Sequence, residues 1–200
     1  ILDLTSQSSS NILALLVACD ELMLEKLVDH VQKHLINRES SWLQKNFIFA
    51  LHTVLKLQSC KAVQEYIIMI ICEDPKPFFE LKDFPTLDKD ILLSLVKRND
   101  LGIEEIDLWN YLVKWGSAQI ITSKAKSKDV TKWDEKDFAL LKKSLDQFMP
   151  HIRFHEISSR EVYYHVRPYK KAIPENIYED LVAYLMANVT PKVPKLPPRY

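Results

Sequence analysis

Apolar positions recur along this chain at intervals of three and four. Leu24, Leu27, Val28, Val31 and Leu35 follow i, i+3, i+4, i+7 and i+11, with Glu25, Lys26, Asp29, Gln32 and Lys33 on the other side, which predicts an amphipathic helix. The preceding stretch, from about Ser10 to Met23, is apolar on nearly every face (Ile12, Leu13, Leu15, Leu16, Val17, Cys19), as a helix covered by neighbours would be. Residues 42–57 repeat the stripe with Leu43, Phe47, Ala50, Leu51, Val54 and Leu57, and residues 60–73 with Val63, Tyr66, Ile67 and Ile70; together they predict an antiparallel helix pair. The run Ile67-Ile68-Met69-Ile70-Ile71 has strand propensity, but helix-forming Lys61-Ala62-Val63-Gln64-Glu65 leads into it without a break, so helix is expected. Pro75 and Pro77 end it, and a short turn carries Phe78 and Phe79.

Further on, Ile91, Leu92, Leu95 and Val96 predict a short helix, and residues 104–116 bring Leu108, Trp109, Leu112 and Val113 to one side. Gly116 is expected to be a left-handed cap of that helix. Residues 117–132 are polar and lysine-rich, as an exposed connection would be. Asp134 should cap a helix with the stripe Phe138, Leu141, Leu145 and Phe148, ended near Pro150. Ser158 with Glu161 forms a capping box that opens a helix placing Val162 and Val166 inward, closed by Pro168. Pro174 at N1 starts the last helix, with Ile177, Leu181, Tyr184 and Leu185 inward. The tail, 188–200, has four prolines and reads as a linker. The expected fold class is all-α, built of stacked antiparallel helix pairs.

Composition narrows the function. Two glycines, Gly102 and Gly116, stand in 200 residues. No loop can therefore bring several Cβ-free residues against a phosphate, and a G-x-S-x-G nucleophile elbow is absent. Formal charge is zero, with an acidic excess up to Gly116 and a basic excess after it, and Lys and Arg are interleaved with Asp and Glu. That pattern argues against nucleic acid as a partner. Cys19, Cys60 and Cys72 are odd in number, widely spaced and set in apolar runs, which favours a reducing, intracellular compartment, the cytoplasm with the nucleus left open. Leu16-Val17-Ala18-Cys19 imitates a lipoprotein cleavage site, but nothing basic precedes it. No apolar run approaches a membrane-spanning length. Ile1 in place of Met suggests a fragment.

Candidate chemistry is sparse. His30 and His34 stand i, i+4 on one predicted helix, a zinc-compatible spacing, but no further ligands lie at a recognisable distance, so a rim position in helix packing is the better reading. The cysteines lie in apolar helices, where the thiolate is disfavoured. His151, His155 and His165, near Arg153, Glu156 and Arg160, suggest a polar surface able to titrate or meet an acidic partner; the plainer reading is an ordinary solvated loop. Asp88/Asp90 and Glu104/Glu105 fall at helix N-termini, where the helix dipole stabilises negative charge. Lys124, Lys126 and Lys128 lack interleaved aromatics and carry little specificity for phosphate. Trp109 and Trp115, six apart, do not share a face; one anchors the core and the other a neighbouring helix or an interface. No catalytic, cofactor-binding or metal-binding residue is assigned.

Asp100-Leu101-x-Ile103 followed by LWNYLVKWG resembles the most characteristic stretch of BACK domains. SNILALLVACDELMLEKLVDHVQKHLI (10–36) resembles the last two helices of a BTB domain running into the three-box, and FMPHIRFHEISSREVYYHV (148–166) is similar to a second BACK hallmark. The lysine-rich connection is longer than the family's, and the acidic stretch before Trp109 is about one residue short. The resemblance implies the end of a BTB domain and the start of the three-box at 1–36, a BACK domain at 37–170, a terminal helix at 171–187 and a Pro-rich linker at 188–200 leading to a following domain. VRPYKK (166–171) resembles the BTB-BACK-TLDc arrangement more than the kelch one. It further implies a non-enzymatic protein-interaction module: a helical spacer in a cullin-3 ubiquitin-ligase substrate adaptor, with cullin-3 and a homodimer partner engaged chiefly through BTB sequence preceding Ile1. The alternative is a dimerising scaffold of BTB-BACK-TLDc type with no ligase role. Neither nucleic acid nor membrane is an expected partner. Asp29, Gln32, Lys33 and Leu35, on the three-box helix, are the expected partner-facing residues.

Overall fold

The computed structural model describes residues 3–120, 129–192 and 196–199. All regular structure among them is helical, with no strand, so the fold is all-α. The chain divides into two compact units, Ile1–Asp83 and Phe84–Tyr200. The division falls inside 37–170, the stretch that the resemblance treats as one domain.

The first unit begins with α1 (Ser9–Glu21), capped by the Ser8 side chain, which accepts from the Asn11 N–H. Ile12, Leu13, Leu16 and Cys19 are buried on it. α2 (Glu25–Arg38) packs on α1 and buries Val28, Val31, Gln32 and Leu35. The single helix predicted over 42–57 is two: α3 (Ser40–Lys45) and α4 (Phe47–Val54). Between them Asn46 leaves helical geometry (φ −125°, ψ 31°), and its Nδ2 donates to the Trp42 carbonyl at 2.8 Å. An Asn side chain competing for a backbone acceptor in this way interrupts a helix. α5 (Lys61–Glu73) runs through the β-branched segment as expected, with Val63, Ile67, Ile71 and Cys72 buried, and packs on α2 and α4. Phe78 and Phe79 lie in α6 (Lys76–Phe79) and are fully buried, Phe78 edge-on to Phe47 at 5.9 Å. They close this unit's core.

The second unit is organised by α8 (Glu105–Ala118), which follows α7 (Lys89–Val96). Both tryptophans of α8 are core residues. Trp109 Nε1 donates to the His165 carbonyl at 3.0 Å, and its ring meets Phe154 and Tyr169 edge-on. Trp115 Nε1 donates to the Leu87 carbonyl at 2.9 Å, with Phe148 against its ring. Burying an indole is favourable when its one donor is satisfied, and here both are.

Gly116 is not a cap: α8 continues to Ala118, and no glycine has positive φ. A Cβ there would stand 2.9 Å from Leu141 Cδ1 and from Leu145 Cδ2, so this glycine admits α9 (Glu135–Leu145) against α8. α9 opens with a capping box in which Asp134 accepts from the Lys136 and Asp137 N–H groups and Asp137 accepts from the Asp134 N–H. The Ser158–Glu161 box is formed too, at α10 (Ser159–Glu161). Val162 and Val166 then point inward from a π-helical turn, Val162–Val166, and the chain continues as a 3-10 helix over Arg167–Ala172 instead of stopping at Pro168. α11 (Glu175–Ala187) is preceded by Pro174 as its N-cap and ends at Asn188 in the left-handed conformation. It buries Leu181 fully and Ile177, Tyr184 and Leu185 partly. Lys124, Lys126 and Lys128 lie outside the described residues.

Candidate interaction surface

The turn between α1 and α2 is apolar and exposed. Leu22, Met23 and Leu24 keep 68%, 86% and 42% of their surface open. Met23 takes φ 55°, its N–H donates to the Asp20 carbonyl and the Leu24 N–H to the Cys19 carbonyl. That hydrogen-bond pair is a Schellman ending, which ordinarily places glycine where Met23 stands. A side chain in that conformation costs about 1 kcal/mol, and a side chain this exposed returns little of it through packing. Asp20 reaches further: its Oδ1 accepts from the Ser59 N–H at 3.0 Å, tying the end of α1 to the loop before α5.

From this turn the outer side of α2 continues as Lys26, Asp29, Lys33 and Asn37, all exposed. Of the four residues expected to meet a partner, Asp29 and Lys33 are therefore accessible and the other two are not. Leu35 is fully buried, because it completes the apolar stripe. Gln32 is buried because its amide joins two segments: Nε2 donates to the Ser59 carbonyl at 3.3 Å and Oε1 accepts from the Val63 N–H at 3.1 Å. It caps the start of α5 from a neighbouring helix. Its polarity pointed outward; a tertiary hydrogen bond turned it in. Trp42 and Phe49, the latter 54% exposed, form an edge-on aromatic pair at 6.4 Å elsewhere on this unit.

His34 faces Glu39, with Nε2 3.7 Å from Oε1. Among the described residues no group of three or more His, Cys, Asp or Glu is placed to hold a metal ion. All three cysteines are buried, and burial first, then Asp20, pushes the Cys60 thiol up to about 11, which disfavours the thiolate. In the second unit an open hollow of about 450 Å³ is lined by Asp88, Lys89, Trp115, Gln119, Lys143 and Ser144 among others. It brings one carboxylate and two ammonium groups together with neither His nor Cys.

The basic and histidine-rich stretch after Pro150 is interior to a degree that its composition hid. Arg153 is 4% exposed and Glu105 6%. Glu105 Oε2 accepts from the Arg153 N–H at 3.0 Å, and Oε1 lies 3.3 Å from Arg153 Nη1. Glu104 is the exposed N-cap of α8, whereas Glu105 points inward as the counter-charge of Arg153. His155 sits 3.5 Å from Asp180 and edge-on to Tyr184 of α11. Ile152, Phe154 and Ile157, set among these charges, are all core, and their burial draws the stretch inward.

No helix among the described residues is long and apolar enough to cross a membrane. Comparison of the chain with family models, with curated proteins and with solved structures finds no match.

Proposed function

We propose that the chain is a non-enzymatic protein-interaction module, a helical spacer belonging to a BTB-BACK adaptor that presents substrates to a cullin-3 ubiquitin ligase. The resemblance carried by Leu101, Ile103 and LWNYLVKWG supports this reading, because its apolar positions Leu101, Ile103, Leu108, Trp109, Leu112, Val113 and Trp115 are the buried ones. A motif whose every apolar member lies in the core acts as a fold signature, and partner contact falls to the surface around it. The turn at Leu22–Leu24 with Asp29 and Lys33 supplies that surface: an exposed apolar tip beside charges of both signs, the composition of an interface with a polar rim.

Titration of the cullin-3 amino-terminal region into a chain extended upstream through the BTB region tests the proposal. Saturable binding at about 1 μM or tighter is expected. Met23→Gly should weaken it while leaving the stability of the chain unchanged or higher by about 1 kcal/mol, since glycine relieves the left-handed backbone. No binding by the extended chain would reject the adaptor and leave the dimerising scaffold.

A further inference from the structure

Arg199 lies in the tail that reads as a linker, yet its side chain is only 2% exposed. Its Nε donates to Glu105 Oε1 at 2.6 Å, its Nη2 donates to the carbonyls of Val96 at 2.9 Å and His151 at 3.2 Å, and its Nη1 donates to the Arg98 carbonyl. Every guanidinium nitrogen is engaged. Arg153 buttresses the same site: Nη1 reaches Glu105, Nη2 donates to Asn99 Oδ1 at 2.6 Å, and Nε donates to the carbonyl of Pro197. The segment is thus gripped twice, by its backbone at Pro197 and by its side chain at Arg199.

We propose that the hollow around Glu105 is an arginine-binding site, that Arg199 is its ligand, and that Leu196–Arg199 is a latch held by it. The site suits a guanidinium over an ammonium. Three carbonyls and one carboxylate oxygen surround a planar fork, and a lysine presents a point charge with no fork to match them. The carboxylate already faces Arg153, so a second cation is tolerated only where carbonyl dipoles share its charge, and those of residues 96, 98 and 151 do. Pro197 and Pro198 reduce the entropy lost when the segment is fixed. The consequence reaches beyond the spacer reading and does not depend on it: Leu196–Arg199 is held against this unit, and a competing arginine would release it.

The native chain supplies the first test. Phenylglyoxal modification followed by mass spectrometry should label Arg199 about tenfold or more slowly than exposed Arg160. Equal rates would overturn the proposal. For the second, Arg199→Ala empties the guanidinium pocket and leaves the Pro197 grip in place, so the labelled peptide acetyl-Pro-Arg-amide, which asks only for that pocket, is titrated in trans. Effective concentration across a short tether is in the mM range, so tenfold protection in cis implies a trans Kd of about 0.1 mM, and saturable binding is expected there. The citrulline peptide, neutral and with a carbonyl oxygen in place of one NH2 group, should bind about tenfold more weakly. Absence of binding up to about 10 mM, or equal binding of the two peptides, would overturn the site.

Discussion

His151 shows how a single residue ties local charge to stability. Burial chiefly, and then Lys97, Arg199 and Arg153, hold its imidazole below the usual histidine range. Its backbone carbonyl accepts from Arg199, which brings that cation to the same residue. In the unfolded chain the imidazole takes up a proton near pH 6.5, whereas the folded chain resists it until lower pH. As pH falls through 6.5 the unfolded state binds more protons, so stability present at pH 7.5 declines toward the depressed folded value and this contribution levels off below it. His151→Gln removes this contribution. Urea unfolding at pH 7.5 and 5.5 should show a smaller loss for the variant than for the native chain, and an equal loss in both would contradict the assignment. Glu105 and Gln32 carry a related lesson. Their burial depends on partners 48 and 31 residues away, and no local pattern encodes such a partner, so both read as surface charge or polarity until the tertiary contact was visible.

At the scale of elements, periodicity was a good guide wherever a helix buries one stripe. α2, α5, α7, α8 and α9 lie where three-four spacing of Leu, Ile, Val, Phe and Trp puts them, Asp134 caps α9 as expected, and the Ser158–Glu161 capping box is made by the residues that announce it. The misreadings arose where a residue has two meanings. Gly116 near a helix end can permit a left-handed cap or a close helix crossing, and the choice lies with Leu141 and Leu145, far along the chain. Asn46 can sit on a helix face or interrupt the helix. Gly116→Ala sets two effects in opposition. Alanine raises helix propensity by about 1 kcal/mol, while forcing a methyl group against two fully buried leucines costs about 1–3 kcal/mol. Leu141 and Leu145 have no exposed surface into which to retreat, so overpacking wins. A net destabilisation of about 1 kcal/mol is expected in equilibrium unfolding, and a stabilised variant would show that α9 yields.

For the molecule as a whole, the relevant fact is that each unit closes a core of its own. The first does so around Leu16, Val31, Leu51, Ile67 and Phe78, the second around Trp109, Leu112, Leu141, Phe148 and Val166. Side chains packed at interior density resist deformation, and the proposed spacer role requires that property within each unit. It also follows that a void opened in one core should be felt first by the helices lining it. Ile67→Ala removes a fully buried side chain from the face of α5, a change that costs about 2–5 kcal/mol where neighbours cannot collapse into the space. Native-state hydrogen exchange reads where that loss is spent, because amides exchange through the opening of the cooperative unit that contains them. Protection should fall across α2, α4 and α5, while amides of α8 and α9 keep their native rates. If protection instead falls uniformly through all five helices, the two cores unfold as one cooperative body and rigidity is a property of the entire chain.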